Sequence, residues 1–98
     1  MPQRGPIEIL QAHREELEAL GVASLDLFGS HARGEAGPES DVDLLVRFRE
    51  RVTFQRYMQL QLALEQWLGR RVDLVTEASL AMKPRARERV MRELLRVA

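Results

Sequence analysis

The chain has 98 residues, with 15 Lys plus Arg, 15 Asp plus Glu, 45% apolar residues and no cysteine. This length holds one small domain, residues 1–98, which buries roughly 60–68% of the surface its unfolded chain exposes and so needs no staples. Whole-chain disorder, a disulfide framework and a Cys-ligated zinc site are all excluded, and apolar runs such as Leu44-Leu45-Val46 fall far short of the ~20 residues of a membrane span.

The first segment, Pro6 to Leu20, spaces Ile7, Leu10, Leu17 and Leu20 on one helical face, with Pro6 suited to the first turn and Gly21 to the C-terminal cap. Glu8, Glu15, Glu16 and Glu18 interrupt it, so it does not read as a signal peptide, and a soluble cytoplasmic protein is expected. From Val22 to Phe28 the chain suits a strand, with Ala23, Leu25 and Leu27 on one face and Ser24, Asp26 and Phe28 on the other. Gly29-Ser30 ends it, and Gly34, Gly37 and Pro38 allow only a brief helix before a loop. Asp41 to Phe48 is a second strand, in which Val42, Leu44 and Val46 alternate with Asp41, Asp43 and Leu45. Thr53 caps a helix that gathers Phe54, Tyr57, Leu60, Leu64, Trp67 and Leu68 on a broad core-facing arc, closed by Gly69. Arg71 to Thr76 is a third strand, and a last helix from Pro84 shows Val90, Met91, Leu94 and Val97 on one side. The expected fold is α+β with α/β-type alternation: a small mixed sheet of three or four strands with helices on one face.

Charge is unevenly spread. Residues 1–50 carry five basic and ten acidic side chains, and residues 51–98 carry ten and five, so −5 and +5 cancel to the formal zero. That zero points away from direct nucleic-acid binding. All four aspartates, Asp26, Asp41, Asp43 and Asp73, fall in expected strands, where Asp is disfavoured. Asp41 and Asp43, two apart, project from one strand face about 7 Å apart along the chain. Such carboxylates repel unless a cation sits between them. Hard divalent ions take oxygen ligands, and Mg²⁺ combines one or two carboxylates with substrate phosphates. With Asp73 from a neighbouring strand, two ions sharing ligands become feasible. The alternative is a solvated sheet face. What favours the site is Gly29-Ser30 ten residues upstream, where glycine permits close backbone approach and serine offers a hydroxyl and N–H groups to an anion.

The run LFGSHARGEAGPESDVDLLV, Leu27 to Val46, resembles the active-site signature of the DNA polymerase beta-type nucleotidyltransferase superfamily: Gly-Ser, a ten-residue spacer, acid-x-acid between hydrophobic positions, and a third acid on a later strand. More narrowly it resembles the minimal nucleotidyltransferases, small stand-alone proteins often paired as antitoxins with HEPN-domain toxins. The resemblance implies a palm-like fold and transfer of a nucleoside monophosphate, AMP from ATP, to a hydroxyl of a protein partner of HEPN type, with two Mg²⁺ ions. Gly29 and Ser30 would hold the triphosphate, and Arg33, three residues beyond Ser30, could reach a β- or γ-phosphate with its planar fork. Asp41, Asp43 and Asp73 would be metal ligands and catalytic residues, with Asp73 able to act as base. Larger members carry a further domain for the acceptor, so here a partner or another copy of the chain, in a hetero- or homo-oligomer, is expected to supply acceptor recognition. The competing expectation is a non-catalytic antitoxin that neutralises its partner by complex formation alone.

Other residues have plainer readings. Arg33 could instead pair with Glu35 or Glu39. His31 lies inside the motif without defining it, His13 reads as surface, and Asp26 shares the carboxylate face without being needed by the triad. The basic run Lys83, Arg85, Arg87, Arg89, Arg92 and Arg96 is a solvated helix face, a lip for the triphosphate or a docking surface.

Overall fold

The computed structural model describes residues 5–98. The elements in chain order are α1 (Pro6–Ala12), α2 (Arg14–Ala19), β1 (Val22–Phe28), α3 (Gly29–Arg33), β2 (Val42–Phe48), α4 (Phe54–Leu68), β3 (Val72–Thr76), α5 (Glu77–Ala81), α6 (Pro84–Glu93) and β4 (Leu95–Arg96). The expected mixed sheet has four strands in the order β3-β2-β1-β4. β1 runs antiparallel to β2 and β4, while β2 and β3 are parallel and joined through α4. Among the described residues no helix is long and apolar enough to cross a membrane.

The main core lies on one side of the sheet. Leu25, Leu27, Val42, Leu44, Val46, Val72 and Leu74 pack there against Leu10, Leu17, Leu60 and Leu64 from the helices. Thr53 caps α4 through the Arg56 N–H, and Gly69 ends it at φ 65°. The helix expected over 6–20 is two helices, broken at His13 (φ −105°, ψ 23°). There the imidazole stacks on Trp67 with ring centroids 4.1 Å apart, so His13 is tied to α4 rather than plain surface. Leu10 and Leu17, on either side of the break, are both buried in the core.

Strict alternation in β1 also fails at one point. Pairing with β2 shifts register between Val22 and Ser24, so Ala23 bulges out to solvent while Val22 joins Leu25 and Leu27 in the core.

Helices cover both faces of the sheet, not one. Phe28 and Leu45 point away from the main core and pack with Leu80 of α5 and Val90 of α6, joined by Val75 and Leu94. A strand buried on both faces is apolar at consecutive positions, as Leu44-Leu45-Val46 of β2 is. The last helix ends at Glu93, short of the expected Val97. The chain then straightens so that Leu95 and Arg96 pair with Leu27 and Asp26, and Val97 enters the main core at 2% exposure.

Candidate functional site

The site forms where three strand ends meet. Antiparallel pairing sets Phe28 opposite Asp43, and parallel pairing sets Asp43 opposite Asp73, so the end of β1 and the starts of β2 and β3 coincide. Adjacent strands are about 5 Å apart, and residues side by side across a ladder point to the same face. Asp41 lies just before β2 and is exposed, Asp43 is half-buried and Asp73 is exposed. The expected triad is therefore gathered on one sheet face, the face whose deeper part α5 and α6 cover.

The electrostatics are those of an undercompensated anionic site. Burial and the nearby charges of Asp73 and Asp41 push the Asp43 carboxyl above its usual range, with His31 and Arg33 opposing them. No three acidic or histidine side chains among the described residues form a ready-made cage for an ion. Three neighbouring carboxylates, two of which press on the charge of Asp43, still match hard divalent cations, which complete their shells with water and phosphate oxygens.

Gly29 has φ +74°, and a Cβ built on it would lie 2.1 Å from Asp43 Oδ2. Only glycine brings the backbone this close to that carboxylate. Ser30 follows in the first turn of α3. A cavity of about 660 Å³ is lined by Phe28, Gly29, Ser30, Arg33, Asp43, Arg89, Val90 and Glu93, thus joining all three expected triphosphate residues with Asp43. The guanidinium of Arg33 donates from Nε to Glu35 at 3.0 Å and from Nη1 to Glu93 at 2.9 Å, so the Glu35 alternative is present and two carboxylates already hold this arginine. The rest of its five-donor fork stays available to an anion.

A second cavity, of about 670 Å³, opens beside Asp73 between α4, β3, α5 and α6, and shares Phe28, Arg89 and Val90 with the first. Its wall is largely apolar, with Phe54, Tyr57 and Val75, and Lys83 and Arg89 stand on its rim. Phe54, expected in the core, is 81% exposed because it begins α4 beyond the sheet's cover. Tyr57 is half-buried and donates its hydroxyl proton to the Leu74 carbonyl. Burial and the Asp73 charge hold that phenol above its ordinary pKa.

Asp26 is separate from this cluster. It is 2% exposed and accepts from Arg47 Nη1 at 3.1 Å and from Arg96 Nε at 2.7 Å, tying β1 to β2 and β4. Arg96 is thus removed from the basic run as a ligand group. His31 lies 3.3 Å from the Ser40 carbonyl, and Arg70 reaches the Gly37 and Ser40 carbonyls, which fixes the loop that leads into Asp41. Sequence reasoning missed Glu93, which also accepts from the Gly29 N–H at 3.0 Å. It is one glutamate on a charged helix end, 64 residues from its partner, and no local pattern marks it.

Residues 10–97 match the family model described as "Nucleotidyltransferase domain". The chain is 46% identical over 90 residues to a protein adenylyltransferase, MntA, of Thermococcus cleftensis, covering 91% of this chain and 89% of that protein. A solved structure assigned to the minimal nucleotidyltransferases superposes with a TM-score of 0.74 at 43% identity, covering 97% of this chain and 98% of that one. A chain from a complex of a tri-AMPylated Shewanella oneidensis HEPN toxin with an MNT antitoxin shares the fold, with a TM-score of 0.64 at 18% identity over 94% of this chain and 71% of that one. With its Gly-Ser turn set against acid-x-acid at the joined ends of three strands, the chain belongs to the nucleotidyltransferase family, among the minimal nucleotidyltransferases.

Proposed function

We propose that this chain is the antitoxin enzyme of a two-protein system, transferring AMP from ATP to a hydroxyl of a HEPN-type protein partner with the help of Mg²⁺. The observation that carries the reading is the cross-strand line Phe28, Asp43, Asp73, which sets the Gly29-Ser30 turn against two of the three acids. The names of the relatives support the reaction class, and the AMPylated toxin of the S. oneidensis complex supports a protein acceptor.

On this reading the triphosphate lies in the cavity beside Gly29. Gly29 contributes by lacking a side chain, Ser30 by its hydroxyl and N–H, and Arg33 by the part of its fork that Glu35 and Glu93 leave open. Asp41, Asp43 and Asp73 would hold the ions, whose positive charge would offset the repulsion felt at Asp43 and the charge developing on the transferred phosphoryl group. Asp73, exposed at the edge of the second cavity, would accept the proton of an incoming hydroxyl. The acceptor oxygen bonds to the α-phosphorus as the bond to pyrophosphate breaks. Catalysis of this kind is mostly positioning and charge neutralisation, which a small domain can supply.

Supplying ATP, GTP, CTP or UTP in turn, with Mg²⁺ and the partner, and weighing the intact partner by mass spectrometry tests this directly. An adenylyl mass gain with ATP supports it, and no gain with any nucleotide overturns it. The non-catalytic alternative predicts neutralisation that survives replacement of Asp41, Asp43 and Asp73 together by Asn.

A further inference from the structure

We infer that Glu93 is a positioning residue for nucleotide binding: its single carboxylate clamps both ends of α3, the five-residue helix that carries Ser30. Oε2 accepts from the N–H of Gly29, the first residue of α3, at 3.0 Å, and Oε1 accepts from Nη1 of Arg33, the last, at 2.9 Å. The inference rests on the reading of Gly29, Ser30 and Arg33 as the triphosphate side of the site.

The clamp answers a physical need. An isolated helix of five residues is far too short to hold itself together, since nucleation is unfavourable and few hydrogen bonds repay it. No residue of α3 is fully buried, so packing alone does not fix it either. The Gly29 N–H begins the helix and has no partner within it. Glu93 meets that donor with a charged acceptor, and both its bonds are charge-assisted, the stronger kind. Its side chain is 17% exposed, so water competes little for it. The contact also spans the chain: Glu93 ends α6, and Leu95-Arg96 immediately afterwards pair with β1, whose last residue precedes Gly29. The C-terminal segment therefore holds the Gly-Ser turn beside the cavity that Asp43 also lines, and Ser30 lies between the two clamped residues.

The test uses the full chain and its Glu93→Ala and Glu93→Gln variants, with two measurements on each. The first is amide hydrogen exchange in the segment 29–33, and the second is the affinity for ATP with Mg²⁺ by calorimetric titration. Gln keeps one acceptor but offers an N–H toward the other donor, so it should fall between wild type and Ala. The clamp predicts faster exchange confined to 29–33, with β2 and β3 still protected, and ATP affinity lowered about tenfold in Glu93→Ala, the drop that follows when about a tenth of the unclamped molecules hold α3 in its binding geometry. With a partner as acceptor, KM for ATP should rise more than kcat falls. A purely structural role would lower Tm and protection throughout while leaving ATP affinity and KM of the folded fraction unchanged, and that result overturns the inference. Tighter ATP binding in Glu93→Ala also overturns it, because Glu93 would then be competing with the phosphates. If wild type takes up no ATP, the nucleotide role falls together with the site reading. Local exchange in the variants then still distinguishes a clamp that exists from one that does not.

Discussion

Gly29 and Asp43 stand in such close contact that a methyl group on Gly29 would come within 2.1 Å of the Asp43 carboxylate oxygen. The pairing of Phe28 with Asp43 across β1 and β2 produces this contact, and the positive φ of Gly29 turns the chain over the carboxylate instead of past it. Backbone turn and acid are thus one unit.

Gly29→Ala should damage both stability and transfer. A non-glycine residue at positive φ costs about 1–2 kcal/mol, and the new methyl also displaces the Asp43 carboxylate. Thermal unfolding should show Tm lowered by roughly 4–8 °C per kcal/mol lost. AMP transfer by the folded fraction should fall by far more than the stability loss explains.

Asp43→Asn should separate stability from activity in the opposite sense. Folding raises the Asp43 carboxyl's pKa through burial and the charges of Asp73 and Asp41. A carboxyl with a raised folded-state pKa favours the fold below its unfolded value, and this benefit is lost as pH rises through the folded value. At neutral pH the charged group is therefore a burden, which the neutral isostere removes. In the absence of added metal the variant should unfold at a temperature equal to or above that of wild type at pH 7, with the difference shrinking as pH is lowered through the carboxylate range. Its transfer activity should be abolished.

Asp26→Asn should do the reverse. The carboxylate is buried between Arg47 and Arg96 and lines neither cavity beside the acids, so its replacement should cost about 1–3 kcal/mol through lost charge-assisted bonds. Denaturant titration measures that cost. AMP transfer per folded molecule should match wild type, which sets this fourth aspartate apart from the other three.

Much of this was legible in the sequence because it is local. Apolar alternation marks β2 and β3, Thr53 and Gly69 bracket α4, and Gly29-Ser30 with Asp41, Asp43 and Asp73 stand out as residues that their elements do not need. What escaped depends on contacts between distant segments. Two-residue β4 has no periodicity to display, and it exists because β1 offers an open edge to Leu95 and Arg96. The second buried face was hinted at by Phe28, Leu45 and Val75, which sit at positions that a one-sided sheet would leave polar. Phe54 shares the helical arc of core residues yet lies exposed, since the arc says nothing about where the sheet ends. Glu93 and Asp26 are the clearest cases, because an ion pair across sixty or seventy residues leaves no trace in spacing.

The most direct test of the central claim is intact-mass analysis of the proposed HEPN-type partner after incubation with ATP, Mg²⁺ and this chain, run beside Asp43→Asn. The account predicts that the partner gains one or more adenylyl groups with wild type, on a hydroxyl-bearing side chain, and none with the variant. A partner left unmodified by wild type under these conditions, or modified equally by Asp43→Asn, would contradict it.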